Sequence, residues 1–504
     1  GKDIENIRTG WQTVIENNDN EKVGEYLGCL SEFYRNRGWL AEGESLFSQA
    51  YENLKPQAPI GLLARLVGKQ GAFAFAQGAY NRSRERFEMY LDLAKKASDH
   101  REQASALLGL GNTCHSQSEY NKANSYLQAS LEISKKLSEP KAIAQTLNSL
   151  GIVARLQSEY EKAKDYFHKA LDIYKELGGP FGIAQVLTNL GNVSAVTGEY
   201  EEAKEHYQEA LATFTDIGRQ RGIALLLNNL GRVHHFLENY QEGEELLRKS
   251  LDLFIEIGDR GGAWMPVRNL GDSAFVRGNL DEARNQYQQT LELSREIGNR
   301  RATSSSLISL GDIAYEQKSY EEARKFYQDA LDIRREIGDK KGMAASIRAL
   351  SILCIELKEL NEARRLLSES YLIFEEIGDS RGKVSILKHM GNVTLRLKDV
   401  EKAGEYFHQA LQLASKMKMN TDVLSIMTGI SRLLIKDKKK GLALGLLTFI
   451  CNHSDTSEKT RDEARKLSER LTSTLTPDEA KASTSLLKKT SIDEVIMIMM
   501  KEGY

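Results

Sequence analysis

Hydrophobic and polar positions along this chain repeat on two scales. Within segments of about seventeen residues the apolar side chains fall at helical spacing, and the segments themselves return every forty residues. The stretch from Arg301 to Asp339 shows both. A first helix, roughly Arg301 to Gln317, carries Leu307, Leu310, Ile313 and Ala314 on one face. A second, roughly Tyr320 to Ile337, is expected to bury Ala323, Phe326, Tyr327, Ala330, Leu331 and Ile333. A column of small residues runs through Gly71, Gly111, Gly151, Gly191, Gly231, Gly271, Gly311, Ser351 and Gly391. Twelve residues after each stands another small residue, such as Ala123, Ala163 and Gly243, and four later a bulky one, such as Leu127, Phe167 and Leu247. Small columns let two helices approach closely, and the bulky residue fills the space beside them. The unit is a helical hairpin.

The phrase "EIGD" or "EIGN" closes these units, and "EEIGDSRGKV" at Glu375 to Val384 invites reading as a phosphate-cradling turn. Its return every forty residues argues for punctuation instead: Gly338 and Gly378 suit the left-handed position just past a helix, and Asp339 starts the next one. The chain contains no Gly-x-x-x-x-Gly-Lys-Ser/Thr.

The two ends leave the period. Ile4, Ile7, Trp11, Val14 and Ile15 form one helical stripe that should pack on a degenerate first hairpin. After residue 451 three short helices are expected, one started by Thr476, Pro477 and Asp478 and the last by Ser491, Asp493 and Glu494. Its stripe of Ile492, Val495, Ile496 and Met499 reads as a cap on the array. The expected division is residues 1–57 as cap and degenerate repeat, 58–451 as the tandem array, and 452–504 as the closing cap.

Composition fits. Proline numbers six and hydrophobic residues 41%, a helical composition with enough apolar material for a continuous core. A chain of 504 residues exceeds a single globular core, a limit that an array of units packing only on their neighbours escapes. Net charge is −2, with acids and bases interspersed, so no basic footprint for nucleic acid is present. No apolar run approaches the roughly 18–20 residues of a membrane span. Four isolated cysteines favour a reducing, cytoplasmic setting. The first residue is glycine rather than methionine, so the chain is expected to be either a fragment or a processed form.

The pattern resembles the tetratricopeptide repeat. Leu310 with Gly311, then Tyr320, Ala323, Tyr327 and Ala330, match that family, although the usual closing proline is missing and about six residues lengthen the 34-residue unit. The resemblance covers Glu21 to about Cys451, some eleven hairpins, and implies an all-α, right-handed superhelical solenoid of antiparallel helix pairs capped at both ends. A narrower resemblance lies at the ends. "DIENIRTGW", "RGWLAEG" and "SIDEVI" look like the C-terminal sensor half of bacterial STAND-type signalling ATPases of the MalT and AfsR kind. That implies a sensor for an inducer or partner, normally preceded by a nucleotide-binding module that this chain lacks. A stand-alone adaptor, similar to spindle-orientation scaffolds that clasp extended peptides, is the alternative.

In such arrays the first helix of each hairpin lines the concave face. Residues three before, one after and four after the column glycine share one stripe. It holds Asn148, Asn192, Asn228, Arg232, His235, Arg268, Asp272, Asp312, Tyr315 and Arg348, with Asn189, Asn229 and Asn269 in a second ladder beside it. Asparagine is a mediocre helix former, so its recurrence needs a reason. The amides either hold the backbone of an extended peptide or bond neighbouring hairpins and water, while the arginines could receive carboxylates. Trp264 and Met265 replace the small residues of other copies, either as an exposed contact or as a local core variation, and Pro266 is expected near the first turn of its helix. The expected ligand is a peptide or protein segment in this groove. His234 and His235 point to different faces, no paired-ligand spacing or nucleophile elbow occurs, and neither a metal, a cofactor nor catalysis is expected.

Overall fold

The computed structural model describes residues 2–487 and 490–501. Those residues form an all-α structure without strands. In chain order the helices are α1 (Lys2–Glu16), α2 (Asn20–Asn36), α3 (Leu40–Leu54), α4 (Ile60–Ala76), α5 (Tyr80–Lys96), α6 (His100–Ser116), α7 (Tyr120–Lys136), α8 (Pro140–Leu156) and α9 (Tyr160–Glu176). Next come α10 (Pro180–Thr197), α11 (Tyr200–Asp216), α12 (Gln220–Phe236), α13 (Tyr240–Glu256), α14 (Arg260–Val276), α15 (Leu280–Glu296), α16 (Arg300–Glu316) and α17 (Tyr320–Glu336). The last are α18 (Lys340–Glu356), α19 (Leu360–Ile377), α20 (Ser380–Arg396), α21 (Val400–Lys416), α22 (Asn420–Lys436), α23 (Lys440–Asn452), α24 (Glu458–Thr472), α25 (Pro477–Ser485) and α26 (Ile492–Lys501). Within each unit consecutive helices pack as antiparallel hairpins, α2 with α3 through α14 with α15 in the first and α20 with α21 and α22 with α23 in the second, and neighbouring hairpins stack on one another.

The hairpin geometry follows from the small columns. A methyl group added at Gly151 would stand 2.5 Å from the Phe167 ring, and one at Gly391 would stand 2.6 Å from that of Phe407. Only glycine lets the bulky residue of the second helix lie flat on the first, where its full burial contributes about 1.5–3 kcal/mol. Between hairpins the backbone turns through a left-handed residue: Gly338 has φ +68° and Gly378 +72°, so both stop helices. Asp379 then caps α20, its Oδ1 accepting from the Gly382 N–H at 2.9 Å.

The chain divides into two compact units, Gly1–Gln317 with Asp332–Lys340, and Lys318–Leu331 with Lys341–Tyr504. In the first, Trp11, Val14 and Ile15 of α1 are buried on the opening hairpin, with Trp11 edge-on to Phe47 at 5.9 Å. The side chain of Ile4 lies outside the described residues. This unit coils back on itself: Arg219 reaches Glu32 at 3.4 Å, and Arg301 donates to the Ser116 carbonyl at 2.8 Å, contacts between residues 187 and 185 positions apart.

In the second unit Val495, Ile496 and Met499 of α26 are buried in the core formed by α20 to α23. Thr476 and Glu479 form a reciprocal capping box at α25, and Ser491 with Glu494 repeats it at α26.

Two expectations need correction. Pro266 is the seventh residue of α14, not a first-turn residue, so it removes the N–H that would otherwise bond the Gly262 carbonyl. In α17, Phe326 and Ile333 are only partly buried, while Arg334 is 8% exposed. Arg334 occupies a column that elsewhere holds Ala94, Ser134, Tyr174, Phe214, Phe254, Ser294, Phe374 and Ala414.

Candidate functional site

The first helices of the first unit carry the polar stripe, and its amides pair from one hairpin to the next. Asn189 on α10 donates to Oδ1 of Asn148 on α8 at 2.9 Å, and Asn269 on α14 donates to Oδ1 of Asn228 on α12 at 2.7 Å. Asn228 in turn donates to Oδ1 of Asn229 at 3.3 Å. Of the two uses open to these amides, inter-hairpin bonding is the one they make within the protein. Asn228 and Asn269 are buried, whereas Asn148, Asn189 and Asn229 keep partial exposure.

One turn along, Asn192 accepts from the Tyr207 hydroxyl at 2.8 Å and Asp272 from the Tyr287 hydroxyl at 2.7 Å. Burial pushes Tyr207 up to about 12, and burial with the Asp272 carboxylate pushes Tyr287 up as well. Both hydroxyls therefore stay protonated and orient their acceptors. Arg232 lies exposed on the same stripe. Arg268 approaches Asp272 at 3.9 Å, but its Nε is sealed from solvent with no hydrogen-bond partner. His235 meets the Tyr240 ring edge-on at 5.0 Å, and burial holds its pKa below the ordinary value.

Asp312 is exposed and Tyr315 partly exposed on α16. Arg348 stands at the equivalent register on α18, in the second unit, and is also partly exposed. Trp264 is partly buried four residues before Arg268, while Met265 packs on the small core of Ala224, Phe254 and Ala263, the local core variation. His234 is turned inward, with Nδ1 3.0 Å from Glu242. Among the described residues no group of three or more His, Cys, Asp or Glu could hold a metal ion, and no helix is long and apolar enough to cross a membrane.

Two further charged or titratable residues, His115 and Arg155, stand on the stripe four residues after Gly111 and Gly151, while Arg301 and Arg334 lie off it. His115 on α6 is held neutral, its pKa pushed down to about 4 by burial and by the charges of Arg301 and Arg155. Burial also lowers Arg155 on α8, whose Nε is sealed without a partner and whose titratable neighbours are tyrosines. Arg301 lies 3.3 Å from Asp339, and Arg334 donates to Ser304 Oγ at 3.2 Å. Arg334 was detectable as the one charge in its column; Arg301 was not, since its contact with Ser116 depends on how the array curves.

Residues 62–136, 142–216, 182–256, 263–336 and 310–376 match the sequence profile of the tetratricopeptide repeat, together more than half of the chain. The protein belongs to the tetratricopeptide-repeat family, whose arrays are protein-interaction scaffolds. Among curated proteins none matches in sequence. Solved structures similar to it include aspartyl phosphate phosphatase F from Bacillus subtilis, at 17% identity and a TM-score of 0.46, covering 66% of this chain and 93% of that one. Another is a Signal Transduction ATPase with Numerous Domains (STAND) protein with a tetratricopeptide repeat sensor from Pyrococcus horikoshii, at 15% identity and a TM-score of 0.44, covering 75% of this chain and 55% of that one.

Proposed function

We propose that the polar face of the first unit's inner helices receives an extended segment of a peptide or protein partner, and that the chain is the sensing part of a STAND-type signalling regulator. The observation that carries the first statement is the pair Arg232 and Arg268. One guanidinium is exposed, and the other has a sealed Nε for which the protein supplies no acceptor. An acidic side chain on a ligand would pair with the exposed Arg232 guanidinium and with the accessible part of Arg268. Asn192, His235, Asp272, Asp312 and Tyr315 lie on the same stripe of their helices, and Arg348 occupies the same register in the second unit. The inter-hairpin amides Asn148 with Asn189 and Asn228 with Asn269, alongside Asn229, would fix the spacing of that wall, and Trp264 would supply its apolar contact.

The sensor role is supported by the opening and closing segments, "DIENIRTGW" and "SIDEVI". The partner in that case is an N-terminal nucleotide-binding module outside this chain, released or restrained when the groove fills. Selection of a random peptide display library on the full chain, followed by titration of the retained peptides, tests the groove. The Arg232→Ala/Arg268→Ala variant should bind at least about tenfold more weakly with unchanged helicity and melting. Equal affinity removes the groove. A reading frame upstream that encodes a P-loop and winged helix supports the sensor role; a start codon there replaces it with the adaptor reading.

A further inference from the structure

Helix α26 carries more apolar surface than its own chain covers. Its sequence, IDEVIMIMMK, is apolar on more than the one face that a surface helix needs. Val495, Ile496 and Met499 are buried in the core of α20 to α23, which is what makes the helix a cap. Met497 stays 56% exposed, and so does Leu486 at the end of α25. Both line a shallow groove together with Thr490, Glu494, Ile498 and Lys501.

The order of residues along that groove decides what would fill it. Glu494, Met497, Ile498 and Lys501 stand at i, i+3, i+4 and i+7, so they share one face of α26, with an acid at its start and a base about 10.5 Å further on. Both charged side chains are exposed. Such a face complements itself under a two-fold axis perpendicular to the helix, because the midpoint between Glu494 and Lys501 falls between Met497 and Ile498. In an antiparallel pair each Glu494 meets Lys501 of the second copy, and each Met497 meets the second copy's Ile498. A parallel pair would set like charges opposite each other at both ends. Glu494 Oε2 already accepts from the Ser491 N–H at 2.8 Å, but an ionised carboxylate has further acceptor sites, so the helix cap and an intermolecular pair are compatible.

We propose that α26 is a contact through which two copies of this chain associate, isologous and antiparallel, with Met497 and Ile498 at the dyad and the two Glu494 to Lys501 pairs at its rim. A patch centred on one short helix is smaller than the roughly 800 Å² per partner of a standard interface, so the dimer is weak and depends on concentration. No residue of the peptide stripe takes part, and the contact stands whether or not that groove binds.

Sedimentation equilibrium of the full chain, from about 1 to 500 μM, tests it. A monomer–dimer equilibrium is expected, with Kd in the range of about 10–500 μM. Lys501→Glu places two carboxylates opposite each other at each rim and should weaken the dimer at least about fivefold. Met497→Asp puts a charge at the dyad and should abolish it. Adding Glu494→Gln to Lys501→Glu removes the repulsion while keeping an oxygen for the Ser491 N–H, and should recover affinity by at least about threefold. Within one chain the two positions lie about two turns apart, so that recovery reports a contact between copies. A chain that stays monomeric throughout, a dimer that both single substitutions leave intact, or a loss in Lys501→Glu that Glu494→Gln does not reverse refutes the contact. Should Met497→Asp lose helicity by circular dichroism, Met497→Ala, neutral and a good helix former, must weaken the dimer in its place.

Discussion

Asn269 gives its side-chain amide proton to Oδ1 of Asn228 across 2.7 Å, joining α14 to α12 in a place where both residues are buried. Removing one partner leaves the other's polar group desolvated and unbonded, which costs about 1–3 kcal/mol. Asn228→Ala should lower stability to urea by that amount. The double variant with Asn269→Ala should lose less than the sum of the singles, and strict additivity in the cycle would show that the bond contributes nothing.

Gly231 and Gly243 face each other where the backbones of α12 and α13 approach closely. A methyl group on either would stand 2.8 Å from the carbonyl oxygen of the other, an obstacle that no side-chain rotation removes. Gly231→Ala is therefore expected to cost about 1–3 kcal/mol despite alanine's better helix propensity. Gly28 offers the opposite case, with open space around its Cβ position on an exposed face of α2. Gly28→Ala should stabilise by about 0.5–1 kcal/mol, and melting curves of the two variants should move in opposite directions.

Such hairpin details were legible because they are local. The column glycines, the helix stops at Gly338 and Gly378, and the capping residues Thr476 and Ser491 each act within about forty residues, where periodicity reports contacts directly. What the sequence concealed depends on accumulated curvature. A small rotation per hairpin, summed over several, decides that Arg301 meets Ser116, and no single repeat encodes that sum. The asparagine stripe was legible as a pattern and ambiguous in use, since an amide on one hairpin finds a partner 41 residues away as readily as it would find a ligand. Pro266 was misplaced by its helix register: α14 begins at Arg260, which puts the proline a turn deeper than its neighbours suggested.

The left-handed turns separate glycines from other residues. Gly258 has φ +68°, whereas Ser138 adopts +53° at the equivalent turn between hairpins and Ser158 +64° at a turn within one. A side chain in that region costs about 1–2 kcal/mol. Gly258→Ser should destabilise by up to that amount, and Ser158→Gly should gain somewhat less, because glycine also loosens the unfolded chain. Chemical unfolding of both variants would check the sign of each.

His115 makes stability depend on pH. Its pKa falls from an ordinary value near 6.5 to about 4 in the folded state, and burial is the first cause. The unfolded chain therefore binds the proton more readily between those values. The neutral histidine leaves stability intact above pH 6.5, and stability declines as pH falls from about 6.5 towards 4, at most about 1.4 kcal/mol per pH unit. His389 in the second unit, pushed down to about 3 by burial and by Lys388 and Arg348, acts in the same direction. His115→Gln should flatten part of the decline between pH 6.5 and 4 in urea unfolding. An unchanged slope would mean that the imidazole reaches solvent.

Arg301→Ala tests the coil contact itself. Ser116, Gln117 and Ser118 form the turn between α6 and α7 and are buried to 8, 6 and 2% exposure, while the corresponding turn at Val196, Thr197 and Gly198 is exposed. The two turns differ locally, since α10 runs on to Thr197 and stops at Gly198, and Gln117 also pairs with Arg84 and Asn81, but the Arg301 guanidinium bonded to the Ser116 carbonyl is a covering group that can be removed singly. The arginine is itself half exposed and also paired with Asp339, so its loss should change global stability by only about 1–2 kcal/mol. Locally the effect should be larger, because the only hydrogen bond from α16 to that carbonyl disappears. Amide exchange in a peptide spanning residues 116–119 should speed up by about tenfold or more in the variant, with the 196–199 peptide unchanged as an internal reference. If both peptides exchange as in the parent protein, the coil is held closed by the packing of the hairpins alone and the guanidinium only rests on it.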